Sequence, residues 1–517
     1  MRRKTSRRLV PPAIALTLLL GVNSLVSAQA AGPSTLELAA AANIMWTLFA
    51  GFLVFFMQAG FALVETGFTR AKNAAHTMMM NLMVFCIGAV GYWLVGFAFQ
   101  FGGVGFLFPK VGGAGAFSFA PVTLGDFGGR LGAWLLRVGQ TGILGGSGFL
   151  LRGLGDRSGI LAFFLFQMVF MDTAATIPTG AMAERLKFVG FCLMGLWVSM
   201  VVYPIVGGWV WGGGWLANLG RTSGLGNGAV DFAGSGVVHM IGGSIALAGA
   251  IAIGPRIGRF NPDGSANAMP GHNIPMGVLG TIILFFGWFG FNPGSSLAFV
   301  GSGQTLAVNA AVNTLLAGGA GGVAAMIAMW LFGPSRKPDP GLSVNGVLAG
   351  LVAITASCAF VASWAAVVIG VVAGVIVCAA TFAIERWGID DPVGAVPVHF
   401  FNGLWGLLAA GIFANGGPAS AGWNGVAGPV TGLLYGGGAQ LAAQLAEIGA
   451  ILVFAGLLSL GFFKGLSALK LLRSAVRDEL TGLDMPEMGA QGYSTVDVHM
   501  HGNALPRQSP RIAQGSR

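Results

Sequence analysis

The sequence predicts an all-α polytopic membrane protein of eleven transmembrane helices. Ten of them form an inverted five-plus-five repeat, and the eleventh is peripheral. Three observations lead there. Only 9% of the residues are charged, against roughly a quarter in soluble domains. Apolar runs of about 20 residues recur along the chain, each long enough to cross a hydrocarbon core about 30 Å thick. An acidic-to-histidine template occurs twice, 160 residues apart. The runs are continuous rather than alternating, which argues against a β-barrel.

Taken in order, the chain opens on Met-Arg-Arg-Lys-Thr-Ser-Arg-Arg, a short apolar stretch, and then Ala28-Gln29-Ala30. That pattern reads as a cleaved secretory signal peptide over residues 1–30, leaving the mature N-terminus outside. Repeat A is expected over 43–254, with spans at 43–68, 78–101, 160–181, 189–210 and 237–254. Repeat B follows over 275–414, with spans at 275–299, 306–333, 344–361, 364–384 and 397–414. Span eleven, 439–466, completes a transmembrane domain over 40–466, and residues 467–517 form a C-terminal tail. Glycines lie inside the apolar runs, where small residues let helix backbones approach closely.

The loops test the topology independently. Every second one is basic, carrying Arg70 and Lys72, Arg185 and Lys187, Arg256 and Arg259, Arg336 and Lys337, then Arg386. The loops after spans six, eight and ten carry no basic residue, and the tail adds Lys470, Arg473 and Arg477. This is the positive-inside pattern, so a bacterial inner membrane with a cytoplasmic tail is expected. The Gly-rich segment 102–158 departs from it, as long loops do. The four cysteines sit in apolar stretches without a CxxC, so neither a disulfide framework nor a zinc site is implied. Nucleic acid is not expected as a partner, because most of the positive charge lies in short loops between spans.

The two templates are Asp231-Phe-Ala-Gly234-Ser-Gly-Val-Val238-His239 and Asp391-Pro-Val-Gly394-Ala-Val-Pro-Val398-His399. Agreement continues to Gly243 and Leu247 in the first, and to Gly403 and Leu407 in the second. Span five runs inward and span ten outward, so the copies enter from opposite faces. Repeats of this design hold their site near the membrane midplane. Eight helical residues would carry each histidine about 12 Å beyond its aspartate, bringing the two together near the centre. An imidazole can donate and accept a hydrogen bond at once, and an ionisable residue within a span is functional by default. The bland alternative is a helix-to-helix hydrogen bond. Haem ligation is disfavoured, because His76, His272, His499 and His501 lie in loops or the tail.

The outer end of the predicted bundle is aromatic. Phe166 and Phe170 fall in the outer half of span three, Trp211 closes span four, and Trp288, Phe291 and Ser295 lie in span six. Aromatic faces attract cations by roughly 0.5–2 kcal/mol, and more when desolvated. A hydroxyl such as Ser295 could accept a hydrogen bond from an ammonium-like ion. An interfacial aromatic belt explains Trp211 and Trp215 equally well.

These residues resemble those of the ammonium transporters, the Amt branch of the Amt/Rh superfamily, over roughly residues 40–493. The motifs are Glu65-Thr-Gly-Phe-Thr-Arg-Ala-Lys-Asn73, Phe166-Gln-Met-Val-Phe170 running on to Gly180-Ala-Met-Ala-Glu-Arg185, and Val210-Trp-Gly-Gly-Gly214. To them are added Asp231 to His239, Gly287-Trp-Phe-Gly-Phe-Asn-Pro-Gly-Ser295, and Asp390-Asp-Pro-Val-Gly-Ala-Val-Pro-Val-His399. The resemblance implies a transporter or channel, not an enzyme, and no cofactor. It implies ammonium recruitment at Phe166, Phe170, Trp211 and Ser295, a phenyl gate of Phe170 and Phe291, and a pore past His239 and His399. Asp231 and Asp391 would brace the site. It further implies a homotrimer, methylammonium as a substrate analogue, and a PII-type regulatory protein acting on the tail around Gly482-Leu-Asp-Met-Pro-Glu-Met-Gly489.

Departures from the family pattern are Asp172 in span three, Phe400 after the second histidine, Met488 in the tail, and the long segment 102–158. An ammonium sensor with little transport and an Rh-type neutral gas channel are the alternatives. A sensor usually appends a signalling domain, and an uncharged substrate needs no cation trap.

Overall fold

The computed structural model describes residues 33–103, 134–138, 141–153 and 158–493. The expected signal peptide and much of segment 102–158 lie outside the described residues. Repeat A comprises α1 (Glu37–Phe68), α2 (Ala71–Phe101), α3 (Ser158–Met182), α4 (Phe188–Val210) and α5 (Ser235–Ile253). Repeat B comprises α6 (Ile274–Ser296), α7 (Ser302–Phe332), the shorter α8 (Pro340–Ile354), α9 (Ser363–Arg386) and α10 (Val396–Phe413), and α11 (Gly438–Ala468) follows. Except for α8, each is long and apolar enough to cross a membrane. Of the most apolar stretch, 83% is buried in α3 and α5 against 33% in α7 and 28% in α11. The first two therefore form the centre, and the last two present mostly outward faces.

Local signals set the helix starts. Ser34 and Glu37 form a reciprocal capping box ahead of α1. Asn273 accepts from the Met276 N–H at 3.0 Å to start α6, and Asp339 from the Leu342 N–H at 2.8 Å to start α8. Segment 102–158 contains an antiparallel hairpin, β1 (Trp134–Val138) with β2 (Thr141–Gly145). Trp209 ties it to α4 by donating to the Ile143 carbonyl at 2.9 Å.

The eighth span departs from expectation. Its α-helix stops at Ile354, and residues 355–361 are irregular although as apolar as a helix would require. The backbone groups there are claimed from repeat A and from α7. The carbonyls of Thr355 and Ala356 accept from Ala233 and Phe232, at 3.1 and 3.0 Å. The Ser235 hydroxyl donates to the Val352 carbonyl and accepts from the Ala356 N–H, both at 2.7 Å. Asn313 donates to the carbonyls of Cys358 and Val361. Irregular backbone survives at membrane depth only where protein satisfies it in this way.

The basic loops meet on one face. Glu184 and Asp390, both buried, bind Arg256, whose guanidinium reaches Glu184 at 2.9 Å and Asp390 at 2.8 Å. Arg70 also pairs with Glu184, and Arg185 donates to the Asp390 carbonyl at 2.7 Å. The tail folds back over this face. Asp484 accepts from the His76 N–H at 2.9 Å, and Leu483 donates to Asn73.

Candidate functional site

The two templates fold alike. Asp231 accepts backbone N–H bonds from Gly234 and Gly236, each at 3.0 Å, and from Val237 at 2.8 Å. Asp391 does the same for Gly394 at 3.0 Å and Val396 at 2.7 Å. Each turn passes through a glycine in the left-handed region, Gly234 at φ 108° and Gly394 at φ 81°, where a side chain would be strained. Each then enters a π-helical turn, Ser235–Met240 or Val396–Phe401, that carries the histidine. The route from aspartate to histidine is thus a capped turn plus a widened one, not the eight helical residues the rise estimate assumed. π-Helical turns are rare and often mark functional sites.

The glycines that follow let the halves cross. A Cβ on Gly243 would lie 2.3 Å from the Phe400 nitrogen, and one on Gly403 would lie 2.6 Å from the Ser235 carbonyl oxygen. This reciprocal contact seats the imidazoles against each other, with His239 Nδ1 and His399 Nδ1 3.1 Å apart. Only one of those nitrogens can donate, so one proton lies between the neutral rings. The ring that accepts carries its own proton on Nε2, and the ring that donates has an Nε2 lone pair. His239 Nε2 is buried with no hydrogen-bond partner among the described residues.

Toward the other end from the basic face, the rings stack upward from this pair. Trp288 lies parallel to His239, with centroids 5.1 Å apart and planes 16° apart, and is held by its N–H bond to Thr355 Oγ1 at 3.0 Å. Phe291 is 5.4 Å from His239 and stacks on Phe170 at 4.0 Å and 16°. Phe166, Phe170, Trp211 and Ser295 line one cavity of about 20 Å³ directly beyond that stack, with Gln167 and Trp423. Trp211 is fixed by donating to the Asp231 carbonyl at 2.7 Å. Ser295 donates to the Phe291 carbonyl at 2.9 Å, which leaves its oxygen lone pairs as acceptors in the cavity. On the far side His399 borders a second cavity of about 20 Å³ with Phe61, Glu65, Asn345 and Val398. Each holds about one water-sized molecule, since one probe sphere needs about 10–15 Å³.

Phe166, Phe170, Trp211, Ser295, Phe291, His239 and His399 therefore fall in one column, and Asp231 and Asp391 cap the turns that lead into it. The column also includes Thr355, Glu65 and Asn345, and it seats Trp288, expected among the outer aromatics, against His239. For Glu65 a signal existed, an ionisable residue inside a span. Nothing in the sequence links Thr355 to Trp288. A larger hollow of about 460 Å³ lies on the flank between α6, α7 and α8, with an almost wholly apolar lining. It offers no charged group and lies away from the column.

Comparison with known proteins identifies the family. A model of the Ammonium Transporter Family matches residues 45–493. The chain is 44% identical over 457 residues to ammonium transporter Amt2 of Archaeoglobus fulgidus, covering 87% of this chain and 88% of that one. It is 34% identical to ammonium transporter 1 member 3 of Solanum lycopersicum, covering 87% and 93%. Among solved structures, a sensor Amt protein superposes with a TM-score of 0.72 at 33% identity, covering 87% and 99%. Candida albicans Mep2 does so with a TM-score of 0.69 at 26% identity, covering 92% and 94%. With the match running through both halves of the repeat, the chain belongs to the ammonium transporter family.

Proposed function

We propose that the chain moves ammonium across a membrane by letting it shed its proton to the outer water at the aromatic cavity and conducting ammonia past His239 and His399, after which ammonia takes up a proton from water on the far side. The observation that carries this reading is the unbroken column from the Trp211 cavity, through the Phe170–Phe291 stack, to histidines 3.1 Å apart. Burying an isolated ammonium ion costs many kcal/mol, so it tends to neutralise instead. Aromatic faces and the Ser295 oxygen suit the ion, and the cavity's size suits a single molecule. Beyond the phenyl pair the imidazoles offer ammonia one donor and one acceptor, and Glu65 and Asn345 are the other polar side chains bordering the lower cavity. Asp231 and Asp391 serve as braces, since their oxygens are turned onto backbone N–H groups.

Uptake of labelled methylammonium into proteoliposomes tests it. His239→Ala and His399→Ala should each reduce uptake substantially, and wild-type rates in both would sink the assignment. Binding without uptake in the wild type would mark a sensor. Trp211→Leu should raise KM about 2- to 30-fold, the worth of a cation–π contact, and Ser295→Ala, which removes an acceptor, should raise it too, each with little change at saturating substrate. An equal loss at all concentrations would argue against recruitment.

The gathering of basic residues on one face supports a cytoplasmic placement for that face and the tail, in a bacterial inner membrane. Homotrimeric assembly, and regulation by a PII-type protein at residues 482–489, rest on the family resemblance. Native mass spectrometry in lipid would test both.

A further inference from the structure

The eleventh helix presents a polar stripe at helical spacing, Gln440, Gln444 and Glu447, to the segment that precedes His239. Gln440 accepts from the Asn227 N–H at 2.9 Å and donates to the Gly228 carbonyl at 2.8 Å. Gln444 accepts from and donates to Val230, both at 2.8 Å. Glu447 continues the stripe fully buried, yet neither of its carboxyl oxygens has a hydrogen-bond partner among the described residues. It faces Asp231. A methyl placed on Gly236 would lie 2.6 Å from Glu447 Oε1 and 3.1 Å from Asp231 Oδ2, so the two carboxyls are no further apart than those distances combined.

None of the ion pairs among the described residues involves either group. Also packed near Asp231 are the Tyr203 hydroxyl of α4 and the Cys358 thiol beyond α8, both neutral when protonated. Two buried carboxylates without a cation cannot both stay ionised. Asp231, with three N–H donors, is built to be the anion. Glu447, with none, is built to be the acid. We propose that Glu447 and Asp231 form one buried proton-binding site behind the aromatic cavity, and that its occupancy sets the charge felt by a cation held at Trp211. The effect on uptake rests on the function proposed above; the proton site itself does not.

Infrared difference spectra of wild type minus Glu447→Gln, in lipid at neutral pH, test the site without transport. A protonated-carboxyl band that shifts in D2O and fades at alkaline pH is expected. Carboxylate bands alone would overturn the proposal, and would mean that a cation takes the proton's place. In proteoliposomes, the KM for methylammonium ion should fall as pH rises through the fading of that band. Glu447→Gln should abolish that fall, and Glu447→Asp, which keeps a carboxyl, should restore it with a displaced midpoint. A pH dependence of KM identical in wild type and Glu447→Gln would overturn the coupling even if the band is present. A wild type that takes up no methylammonium would sink the transport reading while leaving the infrared result to stand.

Discussion

Replacing Gly243 by alanine should leave a folded protein whose methylammonium uptake is reduced by about tenfold to a hundredfold, the scale on which a misplacement of about 1 Å acts. The added methyl would sit 2.3 Å from the Phe400 nitrogen, 2.6 Å from its Cα and 2.8 Å from the His399 carbonyl carbon. All three are backbone atoms, so no side chain can turn aside to make room. The second half must move away, taking His399 with it, and the 3.1 Å imidazole contact opens. Overpacking of this kind costs about 1–3 kcal/mol, which a protein of this size can absorb. Gly403→Ala should behave alike, because its methyl meets the Ser235 carbonyl and the Met240 backbone. Gly461→Ala on α11 is the control, for nothing lies within 4 Å of its added carbon. Uptake by Gly243→Ala equal to that of Gly461→Ala would show that the close crossing does not hold the site.

Arg256→Met should destabilise the protein by about 3–5 kcal/mol, the cost of removing one partner of a buried ion pair. Arg256 is buried and serves two carboxylates. It reaches Asp390 at 2.8 and 2.9 Å and Glu184 at 2.9 Å. Burial alone would raise Asp390, but hydrogen bonds and charge from Arg256, with the charge of Arg185, hold it well below its ordinary value. A lowered carboxyl stabilises the fold above its unfolded-state value, and that contribution is lost as pH falls through the lowered one. Acid therefore weakens the wild type at this site. In Arg256→Met, Asp390 loses the guanidinium that holds it low and takes up a proton more readily, so the deficit should shrink on acidification. Thermal melting in detergent across neutral and acidic pH reads both trends. A deficit that is constant with pH would mean that packing, not charge, is what the arginine supplies.

Much of this was legible in the sequence because membranes impose few choices. Apolar run length located the helices, and alternate basic loops gave their direction. The repeat was visible as a spacing, and inverted topology with a helical rise already brought His239 and His399 toward each other. The local path was not legible. A π-helical turn has no composition of its own, so an α-helical rise was the natural estimate, and the template's aspartates read as span entrances rather than turn caps. The end of α8 was hidden for a different reason. Residues 355–361 are apolar enough to span, and what claims their backbone instead, the N–H groups of Phe232 and Ala233 and the accepting hydroxyl of Ser235 more than a hundred positions away, with Asn313 of α7, is set by tertiary contact. Glu447 shows the converse, since an acid in mid-helix is conspicuous but its partner is set by tertiary contact.

The two small cavities imply a rule of arithmetic. Each has room for about one molecule of water's size, and the stacked Phe170 and Phe291 stand between them. Occupancy is then counted in ones, with no continuous file of solvent from mouth to mouth. A potassium ion, whose hydration shell is several molecules, would have to surrender that shell at the threshold. A molecule already in the lower chamber would stall the one above it, so tracer flux in one direction should fall when unlabelled substrate fills the opposite side.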